Sequence, residues 1–311
     1  MKKEIISIGV LSYNSESTIL ETLNSILKQD YDSNYLELII GDDASTDNTP
    51  EIIKAWLAIN SSSFHNVILS FSDINKGVVA NFNSICKLTN SNWIKPIAAD
   101  DLLTHNCISE FYSFVTKNKT PCVFCKVQKF TGGNKLEIIP KNSYYFNLTA
   151  REQFKNLLID NFIPAPGSFL QVSLLRNIGR IDEDLCMEDY PLWLKISATS
   201  VQLPLLNKTL VNYRIGNSLS KSKHKLTNPT LAYDTYKIKQ QALSELNKHK
   251  TLIMLYKIEF FIYKISNSIK IKVFKNKKSK FTCTISLISR LLSPIFIIYK
   301  IKSRMKYFNK S

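Results

Sequence analysis

Along the first hundred residues, short apolar runs alternate with longer segments in which apolar positions recur every three or four residues. The runs predict strands, and the first of them, apolar and β-branched, is expected to be buried on both faces. They cover 5–12, 36–41, 67–71 and 93–98. The segments between them predict helices over 17–29, from residue 49 onward, and over 78–88. This alternation predicts βαβ units and a mainly parallel, doubly wound α/β sheet.

Beyond residue 111 the pattern changes, and β-rich stretches are predicted over 122–130 and 136–140. Helical spacing returns in three later segments, which are 150–159, 172–178 and 188–197. After about residue 220 the chain becomes rich in lysine and amphipathic. We therefore expect one domain followed by a basic helical region: residues 1–220, with halves of about 1–105 and 106–220, and then residues 221–311.

The charge of the chain is unevenly distributed. The 311 residues carry 41 Lys and Arg against 25 Asp and Glu, a formal net charge of +16. Residues 1–204 hold 18 basic and 22 acidic side chains, whereas residues 205–311 hold 23 basic and 3 acidic ones. A mildly acidic body therefore carries a strongly basic tail. The 44% hydrophobic content excludes a mostly disordered chain, and the mixed pattern excludes a polytopic membrane protein.

Six cysteines are scattered through the chain. Cys122 and Cys125 have the spacing of half a zinc site, but no second such pair and no nearby histidine pair completes it. We interpret that segment as a strand with buried thiols. The absence of a disulfide framework favours a reducing compartment. The apolar run that begins at Ile5 lacks a small-residue cleavage site, so we expect a strand, not a signal peptide, and a cytoplasmic protein.

Three acidic pairs follow or precede predicted elements: Asp42-Asp43, Asp100-Asp101 and Glu188-Asp189. Each alone fits an ordinary turn or helix cap. The first two follow predicted strands, and ligands of doubly wound sheets bind beyond the carboxyl ends of strands. Carboxylates gathered there repel one another unless a cation or proton is shared, and Mg²⁺ or Mn²⁺ binds carboxylate and phosphate oxygens together. No GxxxxGK[ST], GxGxxG or GxSxG motif is present, which disfavours P-loop, dinucleotide-binding and α/β-hydrolase proteins.

Four segments together resemble the family 2 glycosyltransferases: VLSYNSESTILETLNSILKQ, LELIIGDDASTDNTPEII, NKGVVANFNSICKLTNSNWIKPIAADDLL and MEDYPLWLKIS. They occur in the family's order and spacing, and the resemblance covers roughly residues 5–220. It implies a GT-A fold, in which a Rossmann-like nucleotide-binding half with a mixed sheet joins an acceptor-binding half. It further implies a nucleotide-sugar donor, a divalent ion (Mg²⁺ or Mn²⁺) and inversion of the anomeric carbon.

The resemblance implies a donor site in the loops that follow the first strands. It implies that the nucleotide is lined by Ser12, Tyr13 and Glu16. It implies that Asp43, with Asp42 beside it, accepts a hydrogen bond from the base. It also implies that the ribose and phosphates are covered by Asn75, Gly77 and Asn83. Arg214, in the segment VNYRIGNSLSKS, is a candidate for contact with the donor phosphates. The histidine that often follows this arginine is missing, and Asn217 or His224 are candidates to replace it.

The resemblance also implies a metal site and a catalytic base. Asp100 and Asp101 match the DxD-type element that holds the metal on the diphosphate, while Ala98 stands where many relatives have the first Asp. Asp189, directly after Glu188, matches the base that deprotonates the acceptor hydroxyl. These roles suit the chemistry, because a departing nucleoside diphosphate needs its charge neutralised and the incoming hydroxyl needs a carboxylate within reach.

The basic tail suggests a membrane surface as a partner. Apolar residues at helical spacing over 252–274 are followed by a lysine cluster at 275–280 and a largely apolar segment over 281–299. Arg290 lies at the centre of that last segment and Pro294 follows, which disfavours a transmembrane span. We expect an interfacial amphipathic hairpin on an anionic membrane, with a solvated helical face packed on the body as the alternative.

The leading hypothesis is a glycosyltransferase of bacterial surface polysaccharide synthesis, peripheral on the inner face of the cell membrane, with a glycan or lipid-linked acceptor. A nucleic-acid-binding protein is the second hypothesis, suggested by the basic tail, but no RNA- or DNA-binding signature supports it and no nucleic acid is expected as a partner. A sugar-nucleotide nucleotidyltransferase is the third. Its usual Gly-rich loop containing Arg or Lys is absent, because that loop here reads SYNSES.

Overall fold

The computed structural model describes residues 3–216, 227–246, 250–298 and 300–301. Asn217 and His224 lie outside this described part. The chain divides into two compact units. The sheet unit comprises Met1–Asn147, Ile163–Asp189 and Leu203–Ile215, and the helical unit comprises Leu148–Phe162, Tyr190–Gln202 and Gly216–Ser311. This division differs from the expected boundary at residue 220, because two segments before that residue group with the C-terminal helices.

The first half of the sheet unit is the predicted parallel α/β arrangement. Its strands are β1 (Ile6–Ser12), β2 (Leu36–Asp42), β3 (Asn66–Phe71) and β4 (Trp93–Ala98). The connecting helices are α1 (Ile19–Leu27), α2 (Thr49–Asn60) and α3 (Val78–Leu88). β1 is parallel to β2 on one side and to β4 on the other, and β3 lies beyond β2. The carboxyl ends of all four strands therefore meet at one edge.

The remaining strands complete a mixed nine-stranded sheet. They are β5 (Leu102–Leu103), β6 (Cys122–Thr131), β7 (Asn134–Ile139), β8 (Ser168–Gln171) and β9 (Leu205–Arg214). The order is β3-β2-β1-β4-β8-β6-β9-β5, with β7 paired to β6. β8 is antiparallel to both β4 and β6, whereas β6 and β9 are parallel. This mixed sheet confirms the expected GT-A-like fold class.

The strands predicted over 122–130 and 136–140 are confirmed as β6 and β7. Helix α4, over Cys107–Asn118, was not predicted from the sequence. Buried residues of α4 recur every three or four positions, and this spacing supports the helix. The four-residue strand β8, over Ser168–Gln171, was not predicted either. The predicted helix over 172–178 is confirmed as α6 (Val172–Ile178).

Two glycines let α3 approach the sheet closely. A Cβ built on Gly9 would lie 2.5 Å from Cγ2 of Ile85, and one built on Gly41 would lie 2.1 Å from Oδ1 of Asn81. Neither strand therefore has room for a larger residue at these positions. The Asn81 amide donates to the Gly41 carbonyl at 2.9 Å, so α3 is fixed to the strand that ends in Asp42.

The helical unit contains α5 (Ala150–Leu157), nearly all of α7 (Asp189–Ala198), α8 (Pro229–Ala242), α9 (Lys250–Ser268) and α10 (Lys280–Leu291). The buried Tyr256 of α9 donates to the carbonyl of Lys155 at 2.8 Å, and Lys239 of α8 donates to that of Ile159. These bonds tie α5 and the residues after it to α8 and α9. Within the described residues, no helix has the length and apolarity of a membrane span.

Candidate active site

The loops after β1 and β2 are joined through the predicted nucleotide residues. The Asp43 amide donates to the Ser12 carbonyl at 3.0 Å. The Asp42 carboxylate accepts from the amide and hydroxyl of Ser45, at 2.8 and 2.6 Å. The Asp43 carboxylate instead reaches the loop before α3, where it accepts from the amides of Lys76 (2.8 Å) and Gly77 (2.7 Å). Since each carboxylate oxygen has a second lone pair, Asp43 can still accept a bond from a ligand.

Glu16 and Tyr13 differ in what they contact. The Glu16 carboxylate accepts from the Asn48 amide at 3.0 Å, immediately before α2, where a negative charge is favourable. Its amide donates to Asp47 at 3.1 Å. Glu16 therefore fixes the loop after β1 against the loop after β2. The Tyr13 side chain is 48% exposed and presents a ring that can stack on a planar ligand.

Helix α3 connects the donor loops to the segment that precedes Glu188. It begins after Gly77, whose φ of +89° favours glycine, and the neighbouring Asn75 is exposed. The Asn83 amide group donates to the Ile181 carbonyl at 2.9 Å and to Glu183 at 3.0 Å, and it accepts from the Ile181 amide at 3.1 Å. These bonds make Asn83 the link between α3 and residues 181–183.

Residues 99–101, between β4 and β5, form the acidic turn. Asp101 is 1% exposed, and its Oδ1 accepts from the Arg214 amide at 2.9 Å. Its Oδ2 is buried without a hydrogen-bond partner among the described residues. Burial, reinforced by the neighbouring Asp100, raises the pKa of Asp101 well above its ordinary value. Asp100 is half-buried, and burial raises its pKa even though Arg214 acts in the opposite direction.

The backbone of the acidic turn is held by two threonines at the start of α1. Sequence reasoning predicted this helix but did not single out the threonines. Thr18, just before α1, donates its hydroxyl to the Ala99 carbonyl at 2.9 Å. Thr22, one helical turn later, donates to the Asp101 carbonyl at 2.8 Å. The sequence signal is a pair of threonines at helical spacing beside the apolar stripe of α1. The turn is therefore attached to a helix at two points, although it lies outside regular structure.

Glu188 and Asp189 stand at the start of α7. Asp189 is the first residue of that helix, where the helix dipole favours a negative charge. Burial, together with the neighbouring Asp189, raises the pKa of Glu188 to about 7. Glu188 also contributes to the raised pKa of Cys86, on α3, so it lies near the same helix that Asn83 ties to residues 181–183. Glu188 therefore holds its proton at a higher pH than an ordinary glutamate does.

A second residue that sequence reasoning missed is Lys95, in the middle of β4. It is fully buried, and its Nζ donates to the carbonyls of Pro96 (2.5 Å) and Pro166 (2.8 Å). Burial lowers its pKa, while Asp101 is among the groups that favour its charged form. A lysine within an apolar strand is the sequence signal, because lysine is rarely buried without a specific reason.

The predicted metal ligands do not form a large cluster. Within the described part of the chain, no group of three or more His, Cys, Asp or Glu side chains is arranged to hold an ion. Ala98 supplies no ligand, and Asp101 is turned toward β9. Asp100 is therefore the most accessible carboxylate of the acidic turn, and any ion there would depend on further ligands from a substrate or water.

Comparison with known proteins identifies the domain that carries this site. The family model described as glycosyl transferase family 2 matches residues 7–179, more than half of the chain. Among curated proteins, the chain is 27% identical over 227 residues to the Escherichia coli enzyme WfaP, a UDP-Glc:alpha-D-GlcNAc-diphosphoundecaprenol beta-1,3-glucosyltransferase. That match covers 71% of this chain and 82% of WfaP.

Solved structures share the fold at lower identity. TarS 1–349 from S. aureus, in complex with UDP-GlcNAc, has a TM-score of 0.65 at 20% identity, covering 86% of this chain and 76% of that one. The match to the longer TarS structure covers 46% of that chain, so this protein spans about half of its length. The mannosyltransferase PcManGT from Pyrobaculum calidifontis, in complex with GDP-Man and Mn²⁺, has a TM-score of 0.56 at 13% identity, covering 100% of this chain and 77% of that one.

Proposed function

The chain belongs to glycosyl transferase family 2, and on that premise we propose that it transfers a sugar, with inversion, from a nucleotide-diphosphate donor to a hydroxyl of a glycan or lipid-linked acceptor. We place this reaction in the synthesis of a bacterial cell-surface polysaccharide, since WfaP acts on a diphosphoundecaprenol-linked sugar. The family match covers the acidic turn and the Asp43 loop, and neither nucleic-acid binding nor nucleotidyl transfer is favoured.

The observation that carries the proposal is the placement of Asp43 and Asp100 on either side of β1. The β1–β2 ladder runs to Ser12 and Asp42, and the β1–β4 ladder runs to Leu11 and Ala98. Neighbouring strands lie about 4.8 Å apart, so the ends of β2 and β4 are about 10 Å apart at the same edge. This spacing supports a donor site with the base near Asp43 and the diphosphate near Asp100.

The donor set of the acidic turn fits a hard divalent ion. Asp100 offers a half-buried carboxylate whose pKa is raised by burial, and Asp101 adds a buried oxygen without a hydrogen-bond partner among the described residues. Mg²⁺ and Mn²⁺ need only one or two carboxylates when water and substrate phosphates complete the shell. Such an ion, when bound, neutralises charge on the departing diphosphate. Asp100, supported by Asp101, would hold it.

Asp189 is the proposed base. A carboxylate at the start of α7 is stabilised in its charged form by the helix dipole, so it is ready to accept the proton of the acceptor hydroxyl. Glu188, with a pKa raised to about 7, is partly protonated at neutral pH. A proton on Glu188 reduces the charge repulsion between the Glu188 and Asp189 carboxylates. A single displacement by the hydroxyl inverts the anomeric carbon.

We propose that the helical unit contacts an anionic membrane on the cytoplasmic side. Met254, Ile258, Phe261 and Ile265 are exposed along one face of α9. Residues 250–301 contain eleven Lys and Arg but a single acidic residue, Glu259, which is sufficiently buried to have a raised pKa. Exposed apolar side chains among cations, without an exposed carboxylate in that range, suit a peripheral membrane surface.

A donor panel tests the proposed function. UDP-, GDP-, dTDP- and CMP-linked sugars would be titrated into the protein by calorimetry, with Mn²⁺ and with EDTA, and donor hydrolysis would be followed in parallel. We expect one nucleotide class to bind with metal and to be hydrolysed slowly, and Asp100→Asn to abolish both effects. Failure of every nucleotide sugar to bind, with or without metal, would contradict the proposal.

A further inference from the structure

Arg214 makes four separate contacts around the acidic turn. Its backbone amide donates to Oδ1 of Asp101 at 2.9 Å, and its Nε donates to the Asp100 carbonyl at 2.9 Å. Its Nη2 pairs with Glu21 of α1 at 2.8 Å. The guanidinium carbon lies 4.6 Å from the ring centre of Phe130. One residue at the end of β9 therefore contacts the acidic turn, α1 and β6.

These contacts hold the peptide between Asp100 and Asp101 and the side chain that follows it. Arg214 donates to the Asp100 carbonyl, which belongs to that peptide, and to the Asp101 carboxylate. Phe130 is the cross-strand partner of Arg214 in the β6–β9 ladder, so its ring is anchored in the sheet and limits the plane of the guanidinium. Glu21 compensates the charge from the opposite element.

We infer that Arg214, with Glu21 as its counter-charge, is a positioning residue that latches β9 and α1 to the acidic turn and so fixes the direction of the Asp100 carboxylate. This inference rests on the proposed function, because it gives Asp100 the metal. It also assigns Arg214 a different part from the expected donor-phosphate contact. Nε and Nη2 are used within the protein, and the side chain is 21% exposed.

We call the contacts of the Arg214 side chain with the acidic turn, Glu21 and Phe130 the latch. These contacts differ in strength. The Glu21 carboxylate is 56% exposed, and exposed ion pairs contribute little, so its loss is expected to have an effect of about twofold to fivefold. The Nε bond and the Phe130 contact are more buried, and lysine cannot reproduce either the planar fork or the stacking. Removing a group that orients a metal ligand typically costs tenfold or more in metal affinity.

The test compares Arg214→Gln, Arg214→Lys and Glu21→Gln with Lys208→Gln. Lys208 is a matched control, since it also lies on β9 and pairs with a helix, through Glu110 of α4 at 2.6 Å. The readout is the Mn²⁺ concentration that gives half-maximal binding of the nucleoside diphosphate selected by the donor panel. We expect a rise of about tenfold for Arg214→Gln and a rise of similar size for Arg214→Lys. The rise should be about twofold to fivefold for Glu21→Gln, and Lys208→Gln should cause none. Affinity for the free nucleoside should stay constant in all four variants.

Two results would overturn the latch. If Arg214→Gln weakens diphosphate binding equally with Mn²⁺ and with EDTA while Glu21→Gln has no effect, Arg214 contacts phosphate directly. If no variant changes the Mn²⁺ concentration that gives half-maximal binding, Arg214 and Glu21 do not position the Asp100 carboxylate.

A second readout separates this inference from the proposed function. If the wild-type protein binds no nucleoside diphosphate at all, amide hydrogen exchange still decides about the latch. The Asp101 amide, which donates to the Ala98 carbonyl at 3.1 Å, should exchange faster in Arg214→Gln and Glu21→Gln than in Lys208→Gln. Equal exchange in all three variants would refute the latch whatever the protein binds.

Discussion

Replacing Glu188 with glutamine tests the electrostatics of the proposed catalytic pair. Burial and the neighbouring Asp189 raise the pKa of Glu188 from an ordinary value of 4.5 to about 7. Between these two values the folded protein binds more protons than the unfolded chain. The free energy of unfolding therefore falls as the pH rises through this window, and the loss is complete above pH 7. A shift of this size corresponds to at most about 3 kcal/mol.

The assay is urea denaturation at pH 5, 6, 7 and 8, followed by tryptophan fluorescence, since Trp56 and Trp93 lie in the same unit as Glu188. We expect the wild-type free energy of unfolding to decrease by 1 to 3 kcal/mol more than that of Glu188→Gln across this range. Glu110→Gln, an ion-paired glutamate of α4, is the control for removing a carboxylate elsewhere. Parallel pH dependences for the wild type and Glu188→Gln would refute the argument that Glu188 is protonated near neutral pH.

Three further predictions concern the reaction and the membrane. Asp189→Asn should slow transfer by at least ~10²-fold and leave donor binding, measured by calorimetry, nearly unchanged, because the base is lost but the shape is kept. EDTA should abolish transfer and Mg²⁺ or Mn²⁺ should restore it. Asp100→Asn should impair this rescue by metal, measured as initial rates of transfer. Asp101→Asn should mainly lower the free energy of unfolding, measured in urea, because the Asp101 carboxylate is buried against β9. Deleting residues 275–311 should reduce sedimentation of the protein with anionic vesicles but leave metal-dependent donor hydrolysis intact. For the intact protein, 1 M salt should cause partial release from the vesicles, because the Debye length falls to ~3 Å.

Each of these predictions has an outcome that contradicts it. Transfer at near wild-type rate by Asp189→Asn would remove that residue from the reaction. Full activity in excess chelator would show that the enzyme works without a metal ion, in keeping with alanine at position 98. Unchanged sedimentation of the truncated protein would move the membrane contact to the exposed face of α9. An intact protein that never sediments with vesicles would instead make the basic helices part of a solvated surface.

The parallel half of the sheet could be predicted because its signal is local. Runs such as Leu36–Asp42 are buried on both faces and read as uninterrupted apolar segments. The antiparallel half gave weaker signals. β8 has four residues, and β9 mixes buried and exposed positions within LLNKTLVNYR. α4 was not predicted, although Cys107, Phe111 and Val115 recur every four residues, as the buried face of a helix does.

The location of the candidate site could be predicted, but the partners of its side chains could not. Strand ends follow from the period of the pattern, and in a doubly wound sheet they collect ligand-binding residues. The bonds from Asp43 to the amides of Lys76 and Gly77, and from Asn83 to Ile181, join residues that are 33 to 98 positions apart. No local pattern encodes such contacts. The same holds for Lys95, whose carbonyl partner Pro166 comes from a distant loop.

The acidic turn shows how two adjacent aspartates acquire different duties. Asp101 is held inward, because β5 pairs with β9 and the Arg214 amide at the end of that ladder needs an acceptor. With Ala98 at the preceding strand end, Asp100 is then the accessible carboxylate that is left for an ion. An ion held mainly by one carboxylate depends strongly on the phosphates of the substrate for its remaining ligands. Metal and donor should therefore bind together, and the affinity for Mn²⁺ alone should be weak compared with the affinity in the presence of the nucleoside diphosphate.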